Sequence, residues 1–174
     1  DQGMNTRQTA RLRRLSDWLH ERDRKFLFEL LVPAEPSQLE AVGGDADRYD
    51  AELRPDLMLR TITELQTAGV EPDIWKIEGI DTREDCTRIA TQVRSGGRDK
   101  VGCVVLGRGA NSAKVDHWLR QGSGVPGYIG FAIGRTIWWD ALKDYLDGAS
   151  TREVAAGIIS ANYRHAVEVY ENRS

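Results

Sequence analysis

Lys76 and Glu78 lie inside Glu71-Pro-Asp-Ile-Trp-Lys-Ile-Glu-Gly79, a short apolar run bounded by Pro72 and Gly79. Such a run reads as a β-strand. Alternation along a strand puts Ile74, Lys76 and Glu78 on one face, and Trp75 and Ile77 on the other. An amine and a carboxylate leaving a buried strand together are costly unless they are paired or put to use. Paired, they form a structural ion pair. Put to use, a desolvated lysine amine loses proton affinity and attacks a carbonyl carbon, giving a Schiff base. The iminium then acts as an electron sink, and an adjacent carbon–carbon bond breaks or forms without a metal. Carbinolamine formation and bond cleavage also need a neighbouring carboxylate to move protons, and Glu29 and Glu78 are the candidates.

Two arginines occur in glycine settings further along, Gly107-Arg108-Gly109 and Gly134-Arg135. Arginine matches phosphate oxygens with a planar fork, and glycine lets backbone N–H groups approach them. The structural alternatives are a turn at Arg108 and a surface arginine at a helix start for Arg135. Other chemistry is poorly represented. His20, His117 and His165 fall in helical patterns without metal spacing, and no Ser or Cys sits in a nucleophile elbow. Asp45, Asp47 and Asp50 lack the glutamate that a calcium loop requires and read as a solvated, hydrogen-bonded loop. No metal and no cofactor is expected.

Composition narrows the partners. The chain has 174 residues, 29% of them charged, with a formal net charge of -3. Its lysines and arginines are scattered rather than striped, which argues against nucleic acid and leaves phosphate as a small-molecule group. There is no long apolar run and no signal-peptide pattern, so no membrane association is expected. Cys86 and Cys103 have no metal-ligand spacing and read as buried free thiols, suited to a reducing cytoplasm.

The elements that must position these residues follow from periodicity. A helix spans about residues 6–23, with Leu12, Leu15, Trp18 and Leu19 on one side. Residues 26–32 form a nearly continuous apolar strand carrying Glu29 on the face of Leu27 and Leu31. Residues 33–54 form a long connection, helical around 37–42. Pro55 opens a helix marked by Leu57, Leu59, Ile62 and Leu65, and Gly69 stops it. After the strand at 71–79, Asp81 and Glu84 have capping-box spacing for the next helix. A third strand spans 100–108, and Asn111 or Ser112 caps a helix with Val115, Trp118 and Leu119 on one side. In a fourth strand, 128–135, Ile129, Phe131 and Ile133 face one way and Gly130, Ala132 and Gly134 the other. Two helices close the chain, one at 138–146 packed at its start by Trp138 and Trp139, the other capped by Ser150 and Glu153.

The order is therefore α followed by four β-α units, which predicts an α/β fold with a parallel sheet and right-handed crossovers. The strand spacing fits (β/α)8 TIM-barrel units, and four of them make half a barrel. An open doubly wound sheet is the alternative, without the phosphate fingerprint such sheets carry after their first strand. Barrels do their chemistry at the C-terminal ends of the strands. There the four strands would bring together Glu29, Lys76, Glu78, Arg108 and Arg135, whereas Lys25 and Lys100 sit at strand starts.

Four segments carry a family resemblance: Gly43-Gly-Asp-Ala-Asp-Arg-Tyr49, Glu71 to Gly79 as quoted, Val105-Leu-Gly-Arg-Gly-Ala110 and Gly130-Phe-Ala-Ile-Gly-Arg-Thr136. Together they resemble the DUF2090 family, which is similar to 2-deoxy-5-keto-gluconate-6-phosphate aldolase of myo-inositol catabolism and, more distantly, to class I tagatose-bisphosphate aldolases. The resemblance covers residues 1–174 as one unit and implies the C-terminal half of a barrel, strands five to eight. It implies Lys76 as the Schiff-base amine, Glu29 as acid/base, and Arg135 with the Gly107-Arg108-Gly109 loop as phosphate ligands. The implied reaction cleaves the 6-phosphorylated keto-sugar acid to dihydroxyacetone phosphate and malonate semialdehyde. Non-catalytic sugar-phosphate binding or assembly, or another ketose phosphate as substrate, are the alternatives. A half-barrel exposes two sheet edges, so either the N-terminal half was lost by proteolysis, or the chain pairs with that half or with a second copy of itself.

Overall fold

The computed structural model describes residues 2–172. Four strands, β1 (Leu27–Leu30), β2 (Ile74–Glu78), β3 (Gly102–Leu106) and β4 (Tyr128–Ala132), pair in parallel in the order β1-β2-β3-β4. Helix α1 (Gln2–His20) precedes them. Between β1 and β2 come α2 (Pro36–Ala41), α3 (Ala46–Glu52) and α4 (Arg54–Thr67). Then α5 (Arg83–Val93) follows β2, α6 (Ser112–Gly122) follows β3, and α7 (Arg135–Leu146) and α8 (Arg152–Tyr170) follow β4. Every crossover steps the same way along the sheet. Right-handed crossovers in one direction put all their helices on one side, whereas a doubly wound sheet reverses its order partway.

Burial agrees with a one-sided sheet. Leu30, Trp75, Ile77, Cys103, Val105 and Tyr128 point into a core shared with Met58 and Ile62 of α4, Ile89 and Val93 of α5, Trp118 and Leu119 of α6, and Val169 of α8. Each fully buried large apolar side chain contributes roughly 1.5–3 kcal/mol, so this face holds the sheet to its helices. The opposite face is open, with Leu27, Leu31 and Ile129 exposed. Both cysteines are free and buried, and burial pushes the Cys86 thiol up to about 11 and that of Cys103 to about 12. Among the described residues no helix is long and apolar enough to cross a membrane.

Several local expectations shift. The connection after β1 is largely helical, made of the two short helices α2 and α3. Thr82, not Asp81, caps α5: its hydroxyl accepts from Asp85 N at 3.1 Å. Thr151, not Ser150, likewise caps α8 through Val154 N. In α1, Leu12 and Leu19 reach the core but Leu15 and Trp18 are exposed. Trp139 is exposed as well, beside the half-buried Trp138. The expected alternation in β4 fails at Ile129. Tyr128 pairs with Cys103 and Gly130 with Val104, so Ile129 is an extra residue in a bulge. Gly130 takes φ 153°, open to glycine, and Ile129 turns over Gly102 on the open face while Phe131 packs on Tyr163 and Tyr170 of α8.

Carboxylates hold the strand ends. Asp73, just before β2, accepts from Lys25 Nζ at 2.8 Å, Phe26 N at 2.8 Å and pairs with His20 at 3.2 Å, fixing the start of β1. Past the other end of β2, Asp81 accepts from Lys114 Nζ and Trp118 Nε1, each at 2.8 Å, and draws α6 onto the sheet. Trp118 thereby lies flat against Gly79, where a Cβ would collide with the indole. Gly79→Ala is expected to lower stability by about 1–3 kcal/mol, the usual cost of overpacking, seen as an earlier urea midpoint. Burial pushes both aspartates up, but their hydrogen bonds outweigh it and hold them below the ordinary carboxylate value. They bind protons more weakly folded than unfolded. Their stabilisation is therefore full above about pH 4 and lost as pH falls through the depressed values. In Asp73→Asn/Asp81→Asn the fall in urea midpoint across that acid window is expected to flatten.

Candidate active site

β1 and β2 are in register with Glu29 opposite Lys76, and Val104 is the neighbour of Lys76 on β3. Directly opposite residues share a face. Lys76 Nζ donates to Glu29 Oε2 at 2.8 Å on the open side of the sheet. The side chains of Lys76 and Glu29 keep 21% and 42% of their surface exposed.

Glu78, next on that face, has different surroundings. It is buried, accepts the Val32 N–H at 2.7 Å, and lies 3.3 Å from Arg108 Nε and 3.8 Å from Arg54 Nη1. Asp50, on α3, accepts from Arg108 Nη1 at 2.8 and 2.7 Å and stands 3.1 Å from Arg54 Nε. Arg54, 0% exposed, donates Nη2 to the Gly79 carbonyl at 2.7 Å. Tyr49 donates its hydroxyl to the Val32 carbonyl at 2.9 Å. Two guanidinium groups thus face two carboxylates in a charge-balanced cluster at the C-terminal end of the strands. Burial pulls Arg54 below its ordinary value against both carboxylates. At the less buried Arg108 the bond to Asp50 and the field of Glu78 outweigh burial and raise it.

Arg108 adopts φ 52° and Gly109 φ 74°, a turn closed by Ala110 N on the Gly107 carbonyl at 3.0 Å. The left-handed conformation costs a non-glycine residue roughly 1–2 kcal/mol, and it aims the Arg108 side chain at Asp50 and Glu78. Arg108, expected among the phosphate ligands, has its guanidinium engaged by two carboxylates here. Glu78, the other expected acid/base candidate, is enclosed by the Val32 backbone and the two arginines. Asp50 is buried in this cluster rather than solvated, and Asp45 instead caps α3 through Asp47 N and Arg48 N.

Arg135 behaves differently. It is the first residue of α7, behind Gly134, an N-cap without a side-chain cap. Leading backbone N–H groups of a helix attract anions. Its guanidinium crosses Gly109, with Nη2 2.9 Å from where a Cβ would stand, and among the described residues no polar group pairs with it. Thr136 Oγ1 donates to the Ala110 carbonyl at 3.0 Å and fastens the β4–α7 turn to the β3–α6 loop. Gly107, Gly109, Gly134 and Arg135 therefore form one neighbourhood, Lys76 with Glu29 a second, and Glu78 with Arg108 a third.

Sequence reasoning gave Tyr49 and Arg54 no role and read Asp50 as a solvated loop residue. The spacing of Asp50 and Arg54, four residues apart, was the available signal, since such pairs meet on a helical turn. Arg54→Ala is expected to cost about 3–5 kcal/mol in denaturant unfolding, because it strands two carboxylates in the interior.

A family model described as "Uncharacterized protein conserved in bacteria (DUF2090)" matches residues 1–174. Among curated proteins none matches the chain.

Proposed function

The chain belongs to the DUF2090 family, and from that premise we propose that it is a Schiff-base aldolase unit acting on a phosphorylated keto-sugar acid. The preferred substrate is 2-deoxy-5-keto-gluconate 6-phosphate, following the resemblance of its motifs. The observation that carries this reading is the 2.8 Å bond between Lys76 and Glu29, an amine and a carboxylate meeting on an accessible sheet face. Lys76 Nζ attacks the ketone, and loss of water from the carbinolamine leaves an iminium. Glu29 takes the proton from the β-hydroxyl as the bond between the α- and β-carbons breaks. Malonate semialdehyde leaves, and the electron pair rests in an enamine. Protonation at the α-carbon and hydrolysis then release dihydroxyacetone phosphate and the free amine.

Arg135, with the N-terminus of α7 and the glycines at 107, 109 and 134, would hold the phosphate. Its guanidinium over Gly109, without a polar partner among the described residues, supports that assignment. The one-sided sheet supports closure into a (β/α)8 barrel with Lys76 inside. A groove of about 810 Å³ runs between α1, β1 and α4 along the free edge of β1. Four further β-α units, from the N-terminal half of such a barrel or from a second copy, would complete it. The two free, buried thiols suit a reducing cytoplasm.

Borohydride reduction in the presence of dihydroxyacetone phosphate is expected to leave an adduct on Lys76, found by peptide mass spectrometry, and none in Lys76→Arg. Phosphate binding without an adduct would identify a sugar-phosphate-binding module instead. Arg135→Ala is expected to raise KM about ten- to hundredfold, as for loss of a charge-assisted hydrogen bond of roughly 1.5–3 kcal/mol, with trapping retained at saturation.

A further inference from the structure

Pairing between β1 and β2 ends at Leu30 and Ile77, just past the Glu29–Lys76 contact. Beyond that point the chain of β1 leaves the ladder, and Val32 is gripped on both backbone groups. Its N–H goes to Glu78 Oε2 at 2.7 Å, and its carbonyl takes the hydroxyl of Tyr49 at 2.9 Å. Glu78 is itself anchored by Arg54 and Arg108, and Tyr49 is the chain neighbour of Asp50, which pairs with both arginines. A carboxylate so enclosed has no path to a substrate, yet it fixes the backbone three residues after Glu29.

We infer that Glu78 is a positioning residue rather than a proton carrier: with Tyr49 and the Asp50–Arg54–Arg108 cluster, it clamps Val32 and thereby holds Glu29 against Lys76. The inference rests on the aldolase reading for its purpose but not for its geometry. The cluster acts on the reacting pair through the backbone of β1. Members of one clamp are coupled, so their substitutions are not additive.

The first test needs no substrate. Competitive acetylation of the intact chain, read by mass spectrometry, compares Lys76 with the exposed amines of Lys25 and Lys100 as internal references. Glu29→Ala sets the rate of an unpaired amine. Glu78→Gln and Asp50→Asn are each expected to raise Lys76 labelling several-fold toward that rate, and the double variant to add little beyond the larger single effect. Should either variant fail to fold by circular dichroism, Tyr49→Phe, which removes only the hydroxyl on Val32, is expected to move labelling the same way. Unchanged Lys76 labelling in folded variants overturns the clamp. So does a pH–rate profile for aldol cleavage that loses a limb in Glu78→Gln but keeps it in Asp50→Asn, which would make Glu78 the proton carrier. Absence of a borohydride adduct on the wild-type chain sinks the aldolase reading alone and leaves the labelling result standing.

Discussion

Arg54 is a guanidinium with no exposed surface, and that constraint organises the C-terminal end of the sheet. A buried cation is tolerated only where carboxylates and carbonyls surround it. Here they come from separated places: Asp50 one helical turn earlier, Glu78 at the end of β2, and the Gly79 carbonyl beyond it. Surrounding one arginine with charge in this way docks α3 and the start of α4 over the strand ends. Arg108 then balances the second carboxylate charge from the loop after β3. Such clusters are weak sources of net stability, because desolvation offsets much of the attraction. What this one supplies is geometry: it fixes where the ends of β1, β2 and β3 lie relative to one another.

The two chemically open groups stand clear of that cluster. Among the described residues Lys76 meets only Glu29 as a charged partner, and Arg135 meets none. The contrast between Arg108 and Arg135 is informative, since both sit in glycine settings after a strand. Arg108 is turned inward by its left-handed backbone onto waiting carboxylates, whereas Arg135 begins a helix and extends across a glycine. Composition around an arginine does not separate these outcomes; its backbone conformation and the supply of carboxylates do.

Much of the architecture was legible because it rests on local patterns. Alternation located β2 and the shared face of Lys76, apolar periodicity located the helices, and consecutive β-α units implied a parallel sheet. The failures were of two physical kinds. Caps slipped by one residue at Thr82 and Thr151 because neighbouring Asp81 and Ser150 offer equivalent oxygens, and the choice is made by tertiary demand: Asp81 is taken by Lys114 and Trp118. The bulge at Ile129 was invisible to alternation, although Gly130 in the strand was a sign of it. The charge cluster was unreadable for a different reason. Asp50 and Arg108 lie far apart in the chain, and only the fold brings them together.

The strand order has a consequence for how cooperatively the molecule holds together. When each β-α unit touches chiefly the next, the structure resembles a short linear array, and fluctuations at one end need not reach the other. The bond from Asp50 to Arg108 breaks that rule, since it ties the connection after β1 to the loop after β3 and skips β2. It is a cross-brace on a chain whose contacts are chiefly between neighbouring units. Opening of the first unit is thereby felt in the third, and the lysine between them lies on the element that both must share.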